Sequence, residues 1–161
     1  LFPQVPELHE AILQCYGDHY VAHSTEDCWF AGVAEMLQAL KSQGVLLAVA
    51  TGKSRKGLDR VLAQTNSQDL FVATRAASET KSKPDPLMLA EILQVTGVAA
   101  EHAFMVGDTS YDLAMAKNIH MPSIGVTYGV HTTEVLERFD PIFVAESVAE
   151  LHQFLICNVG M

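Results

Sequence analysis

The chain is short of basic residues. Ten Lys and Arg stand against nineteen Asp and Glu, a net charge of −9. A phosphate backbone is held by basic footprints, so nucleic acid is excluded as the main partner. Cysteine is scarce too. Cys15, Cys28 and Cys157 are odd in number, far apart and without a Cys-x-x-Cys pair. That excludes a disulfide scaffold and a cysteine-type zinc site, and predicts reduced thiols. No apolar run reaches the roughly 18 residues of a membrane span, and no basic-then-apolar leader opens these residues. The acidic balance leads to the expectation of a soluble, cytoplasmic protein with no membrane partner.

What is present is a core. Of 161 residues, 49% are hydrophobic and 18% charged, with a mean hydropathy of +0.18. That is enough apolar surface for one packed domain and a small appendage. Residues 7–22 place Leu8, Ile12, Leu13 and Tyr16 on one helical face. Residues 31–43 place Val33, Met36, Leu37 and Leu40 on one face, and Gly44 ends that helix. The run 45–50 (VLLAVA) predicts a strand buried on both faces of a parallel sheet. Further strands are expected at 70–74, 103–106, 123–127 and 142–145. Helices are expected at 54–65, 87–96, 110–118, 133–139 and 147–156, with a polar loop over 78–86. This alternation implies an α/β fold with a mostly parallel sheet, whose chemistry sits beyond the carboxyl ends of the strands.

Those ends carry a particular set. Thr51, Gly52, Lys53 and Ser54 come after the first strand. Lys83 opens KPDP after the second. Gly107, Asp108, Thr109, Ser110 and Asp112 come after the third. A hydroxyl, a lysine and two carboxylates on one rim suit a phosphate and a divalent cation. The Thr51 hydroxyl and nearby amides can bond phosphate oxygens, and Lys83 can neutralise them. Asp108 offers a hard oxygen for Mg2+. Asp112, one turn on, shares a face with Asp108 if the helix has begun, and could hold a metal-bound water. Taken singly, Thr-Gly and Gly-Asp after strands read as helix caps, and a lysine beside prolines as a solvated loop residue. Their joint order is what points to phosphate chemistry. A second set, Cys15, His19 and His23, falls at i, i+4 and i+8, the spacing of a transition-metal face, or of a face that simply packs or meets solvent.

The ordered set resembles the haloacid dehalogenase superfamily, in its phosphoglycolate-phosphatase-like branch. VLLAVATGKSR (45–55) is similar to that branch's second motif, with Thr51 in the key place. Lys83 in KPDP is similar to the third, and MVGDTSYD (105–112) to the fourth. LAMAKNIHMPSIGVTYG (113–129) resembles the Ala-rich helix and Gly-containing strand that come next. Asn118 stands where a Gly is usual, as a residue that tolerates the left-handed conformation at a helix end. Ala31 stands where Pro is common. The resemblance implies a Rossmann-like sheet with flanking helices over residues 29–161, and a remnant of a helical cap over 1–28.

It also implies a mechanism. An aspartate nucleophile makes an aspartyl-phosphate, which water then hydrolyses. Mg2+ held by Asp108 and the nucleophile offsets the repulsion between anionic nucleophile and anionic phosphate. Lys83 neutralises both, Thr51 and the Gly52 amide hold the transferring group, and Asp112 fixes the water shell. Lys53 and Tyr128 are further substrate-facing candidates. The substrate is a small phosphorylated metabolite. The first motif, an apolar strand ending in DxDGT, has no counterpart in this sequence. The expectation is therefore a chain truncated at its front, lacking the central strand between 45–50 and 103–106, with two strand edges left unpaired and little activity of its own. A non-catalytic phosphate- or partner-binding module and a phosphosugar mutase of the same branch stay open. A metal-free dehalogenase fits GDTSYD poorly, and a receiver domain would place its Asp before Thr and Lys. Oligomeric state is not legible.

Overall fold

The structure is a computed structural model that describes residues 29–158. The expected helix over 7–22 and the Cys15, His19 and His23 set lie outside the described residues. Helix α1 (Val33–Ser42) leads into β1 (Ala48–Thr51), α2 (Arg55–Gln64) and β2 (Ala73–Ala76). Then come α3 (Leu87–Thr96), β3 (Met105–Gly107), α4 (Ser110–Lys117) and β4 (Ser123–Val126). The short α5 (Thr133–Leu136), β5 (Phe143–Ala145) and α6 (Val148–Asn158) complete the order. This is the expected α/β architecture, with parallel strands flanked by helices.

The strands do not form one sheet. Among the described residues β1 pairs only with β2, in register Ala48 with Ala73. β3, β4 and β5 form a separate three-stranded parallel sheet, with Met105 opposite Ser123 and Ile124 opposite Phe143. The inner edges of β1 and β3 are not hydrogen-bonded to each other. Two helices span the interruption. Met88 and Leu89 of α3 pack in one cluster with Met105 of β3, Met115 of α4 and Ala50 of β1. Met36 and Leu40 of α1 pack with Ile124, Val126, Ala145, Leu151 and the partly buried Leu47 and Phe104. Met105 and Met115 are thus core residues.

Local chemistry explains the element ends. Ser54 caps α2 by accepting from the Gly57 amide at 3.2 Å, satisfying one of the orphan donors of the first turn. Gly97, at φ 70°, ends α3 in the left-handed conformation that a residue without Cβ adopts freely. Asn118 behaves otherwise than expected. It is right-handed at φ −66°, and its side-chain amide donates to the Pro84 carbonyl at 3.1 Å. The left-handed residue is His120, at φ 56°.

The expectation of a first strand buried on both faces needs correction. β1 begins at Ala48 rather than Val45, Ala48 is exposed, and its other three residues are only partly buried. Leu46 is 52% exposed. A parallel strand is buried when it has neighbours on both edges and helices on both faces; among the described residues β1 has a neighbour on one edge only.

Candidate active site

The carboxyl ends of β1, β2 and β3 face one cavity of about 420 Å3, lined by Gly52, Ala77, Ser82, Lys83, Asp108, Thr109, Tyr111 and Asp112. Four of the six residues singled out by sequence line it: Gly52, Lys83, Asp108 and Asp112. Thr51 and Lys53 stand on the adjoining strand end and not in the lining. The Thr51 hydroxyl oxygen accepts from the Lys53 amide at 3.2 Å. The Lys53 carbonyl accepts from the Ala77 amide at 3.0 Å, joining the two strand ends.

Asp112 is the most buried charge among the described residues, at 5% exposure. One of its oxygens, Oδ1, is ion-paired with the Lys83 ammonium. The other, Oδ2, accepts from the Thr109 hydroxyl at 2.6 Å and the Thr109 amide at 3.2 Å. Thr109 in return caps α4 through the Asp112 amide. This reciprocal capping box satisfies two helix-terminal donors and fixes the carboxylate. A buried charge is tolerated when it is paired and hydrogen-bonded, as here. Asp108 precedes the helix, so the two carboxylates do not share a helical face. They come together because the chain turns at Thr109.

Asp108 is half-buried and held differently. Its Oδ2 accepts from the Val130 amide at 3.0 Å, and its carbonyl accepts from the His131 amide at 3.0 Å. Two glycines make room for these carboxylates. A Cβ at Gly107 would stand 2.3 Å from Asp112 Cβ, and one at Gly129 would stand 2.3 Å from Asp108 Oδ2. Burial, and then the Asp108 charge, push the Tyr128 phenol upward. Phe30 meets that ring edge-on, with centroids 5.1 Å apart.

Sequence reasoning misses the roles of Thr109 and the 128–131 loop. Thr109 carries a signal, since Thr-x-x-Asp is a capping spacing. The loop is marked in sequence only by its place after a strand and by Tyr128 as a substrate-facing candidate; the amides of Val130 and His131 on Asp108 carry no signal, lying some twenty positions away.

At the rim, Arg55 grips Glu79 through two nitrogens, at 2.9 and 2.6 Å. It also donates to Asp59 at 3.1 Å and to the Thr74 hydroxyl at 3.1 Å. The Arg55 guanidinium, helped by the Ala76 amide, brings the Glu79 carboxyl down to about 2.

Magnesium favours one or two carboxylates with retained water and substrate phosphate over an all-protein cage. Asp108 meets that requirement, having one amide on Oδ2 and no ion pair among the described residues. Asp112 has both oxygens engaged by Lys83 and Thr109, which suits contact through water. Among the described residues no group of three or more His, Cys, Asp or Glu is placed to hold a metal. No helix among them is long and apolar enough to cross a membrane.

A fold with parallel strands, and a lysine and two carboxylates at their carboxyl ends, defines the class. Residues 3–126 match the model of the haloacid dehalogenase-like hydrolase family. The chain belongs to that family. It is 34% identical over 149 residues to a phosphoglycolate phosphatase of Vibrio vulnificus, covering 92% of this chain and 63% of that protein. It is 38% identical over 125 residues to the Dickeya dadantii protein named Probable phosphatase IndB, covering 76% of this chain and 54% of the relative. The crystal structure of a predicted phosphoglycolate phosphatase from Haemophilus somnus superposes with a TM-score of 0.82 at 22% identity, covering 93% of this chain and 68% of that one. The chain thus spans between 54% and 63% of the length of these two curated relatives.

Proposed function

We propose that this chain is the core segment of a magnesium-dependent phosphatase acting on a small phosphomonoester of the phosphoglycolate kind. Residues 29–161 are the hydrolase core in this reading, 1–28 a remnant of a helical cap, and the protein cytoplasmic. The observation that carries the reading is the convergence of Lys83, Asp112 and Asp108 on one cavity between the ends of β1 and β3.

The roles follow from charge. Lys83, already held by Asp112, presents an ammonium to a phosphate oxygen. The Gly52 amide and the Thr51 hydroxyl bond the transferring group, with Lys53 adding positive charge beside it. Asp108 would hold Mg2+, and Asp112 would hold water beside it. When bound, the cation offsets the repulsion between an anionic nucleophile and an anionic phosphate. The nucleophile would be a carboxylate on a strand paired between β1 and β3; its attack would break the P–O bond to the substrate alcohol, which takes up a proton as it leaves, and water would then cleave the aspartyl-phosphate to inorganic phosphate and the free carboxylate. These 161 residues contain no Asp-x-Asp-Gly-Thr, so turnover by them alone is expected to lie about 10⁶-fold below that of a complete enzyme.

The test has two arms. Inorganic phosphate titrated into the chain, followed by 31P NMR, should bind with Mg2+ and lose that binding in Lys83→Ala and Asp108→Asn. The chain preceded by a strand ending in Asp-x-Asp-Gly-Thr should then hydrolyse phosphoglycolate. Phosphate binding without turnover in that extended chain would favour a non-catalytic phosphate-binding module. Turnover at ordinary phosphatase rates by the 161 residues alone would refute the missing-nucleophile part. No phosphate binding would sink both readings.

A further inference from the structure

We propose that His131 is a positioning residue for Asp108; its value to catalysis rests on the reading of Asp108 as the cation ligand. The segment after β4 lies directly over Asp108, since even a single Cβ at Gly129 would collide with that carboxylate. Three hydrogen bonds close a ring there. The Val130 amide donates to Asp108 Oδ2 at 3.0 Å. The His131 amide donates to the Asp108 carbonyl at 3.0 Å. The Ser110 amide, two residues beyond Asp108, donates to His131 Nδ1 at 2.9 Å.

The third bond anchors the first two. Gly129 is exposed and Val130 is 72% exposed, so little packing holds this stretch of the loop down. The His131 imidazole ties it back to the first residue of α4. It does so by satisfying an orphan amide of that helix, as a cap from a distant part of the chain. Accepting at Nδ1 requires the lone pair there, so the neutral ring carries its proton on Nε2. Without the imidazole, the Ser110 amide loses its acceptor and the loop loses its tether. The Val130 amide then no longer defines where Asp108 Oδ2 sits. A ligand carboxylate that wanders binds its cation more weakly, and outer partners of metal ligands typically govern affinity by 10- to 100-fold.

The geometry gives a discriminating set of variants. Asn at this position carries Oδ1 the same number of bonds from Cα as His Nδ1. Gln places its oxygen one bond further out, and Phe fills the ring volume with no acceptor. The experiment uses the 161-residue chain as wild type, His131→Asn, His131→Gln and His131→Phe. The first readout is metal-free: exchange of the Val130 and Ser110 amides with water, by NMR. Both are expected to exchange about tenfold faster in the Phe and Gln variants, to return to wild-type rates in Asn, and to leave the β4 amides unchanged. Should the Phe variant fail to fold, Gln against Asn makes the same comparison. The second readout is Mn2+ titration as a stand-in for Mg2+, expected about tenfold weaker in Phe and Gln and restored in Asn. Unchanged Val130 exchange in both Phe and Gln would overturn the proposal, as would a failure of Asn to restore it. Wild-type protein that takes up no Mn2+, with the exchange pattern as expected, would sink the cation reading while upholding His131 as the group that positions Asp108.

Discussion

β4 and β1 are both four-residue parallel strands beside helices, yet they sit in opposite conditions. All four residues of β4 are buried, and it is paired on both edges, with β3 and with β5. Among the described residues β1 is paired on one edge, and it starts with an exposed alanine and buries none of its residues fully. β3 shares the deficit on its own inner edge, where Val106 is 37% exposed. An apolar run is therefore enough to make a strand, but not to bury it. Burial is conferred by the neighbour across the ladder, which β4 has twice and β1 once.

The comparison can be broken most strongly at the seam between the two sheets. Lys83→Ala removes the cation from Asp112, a carboxyl 5% exposed. Leaving a buried charge unpaired is expected to cost about 3 kcal/mol or more, read as a lower urea midpoint. Lys83→Ala with Asp112→Asn should recover much of that loss. An unchanged midpoint in the single variant would mean that Asp112 reaches water freely. Next in size is the contrast between the strands themselves. Ile124→Ala in β4, at 0% exposure, is expected to cost about 2–5 kcal/mol. Val106→Ala in β3 should cost well under half of that, because its side chain already meets solvent. Equal losses would show that the open edge is as well packed as the closed one.

Hydrogen exchange sharpens the same point without mutation. Amides of β4 should approach the protection of global unfolding, while β1 exchanges through smaller openings. Similar protection in both strands would contradict this ranking. The smallest effect is expected in acid. Glu79, at the end of the two-stranded half, is held down to about 2 by Arg55. A depressed carboxyl contributes its stability above its unfolded value, near 4.5, and loses it as pH falls through about 2. The pair is partly exposed, so the effect is modest and screened by salt. Comparing wild type with Glu79→Gln between pH 6 and pH 2 should show the two midpoints converging at the acid end.

Much of this molecule is legible in its residues. The helix expected over 87–96 is observed over Leu87–Thr96, because a polar loop with two prolines precedes it and Gly97 stops it. Lys83, Asp108 and Asp112 converge because each comes after a strand, and parallel strands deliver their trailing residues to one rim. Less legible is whatever depends on partners distant along the chain. Val45, Leu46 and Leu47 are as apolar as the residues of β1, yet the strand starts only where β2 begins to pair with it. His131 is one of seven histidines, and only the folded loop distinguishes it by bringing its ring to Ser110. The left-handed turn expected at Asn118 falls at His120 instead, two residues further along, where the chain leaves α4 for β4.

The glycine over Asp108 has an evolutionary corollary. A Cβ at 129 would stand 2.3 Å from the Asp108 Cβ as well as from its Oδ2, so any side chain at 108, and not aspartate alone, keeps 129 a glycine. A descendant that lost the carboxylate would still need the glycine. Gly129 therefore outlasts the chemistry: its survival beside an altered residue 108 records the fold and not the activity.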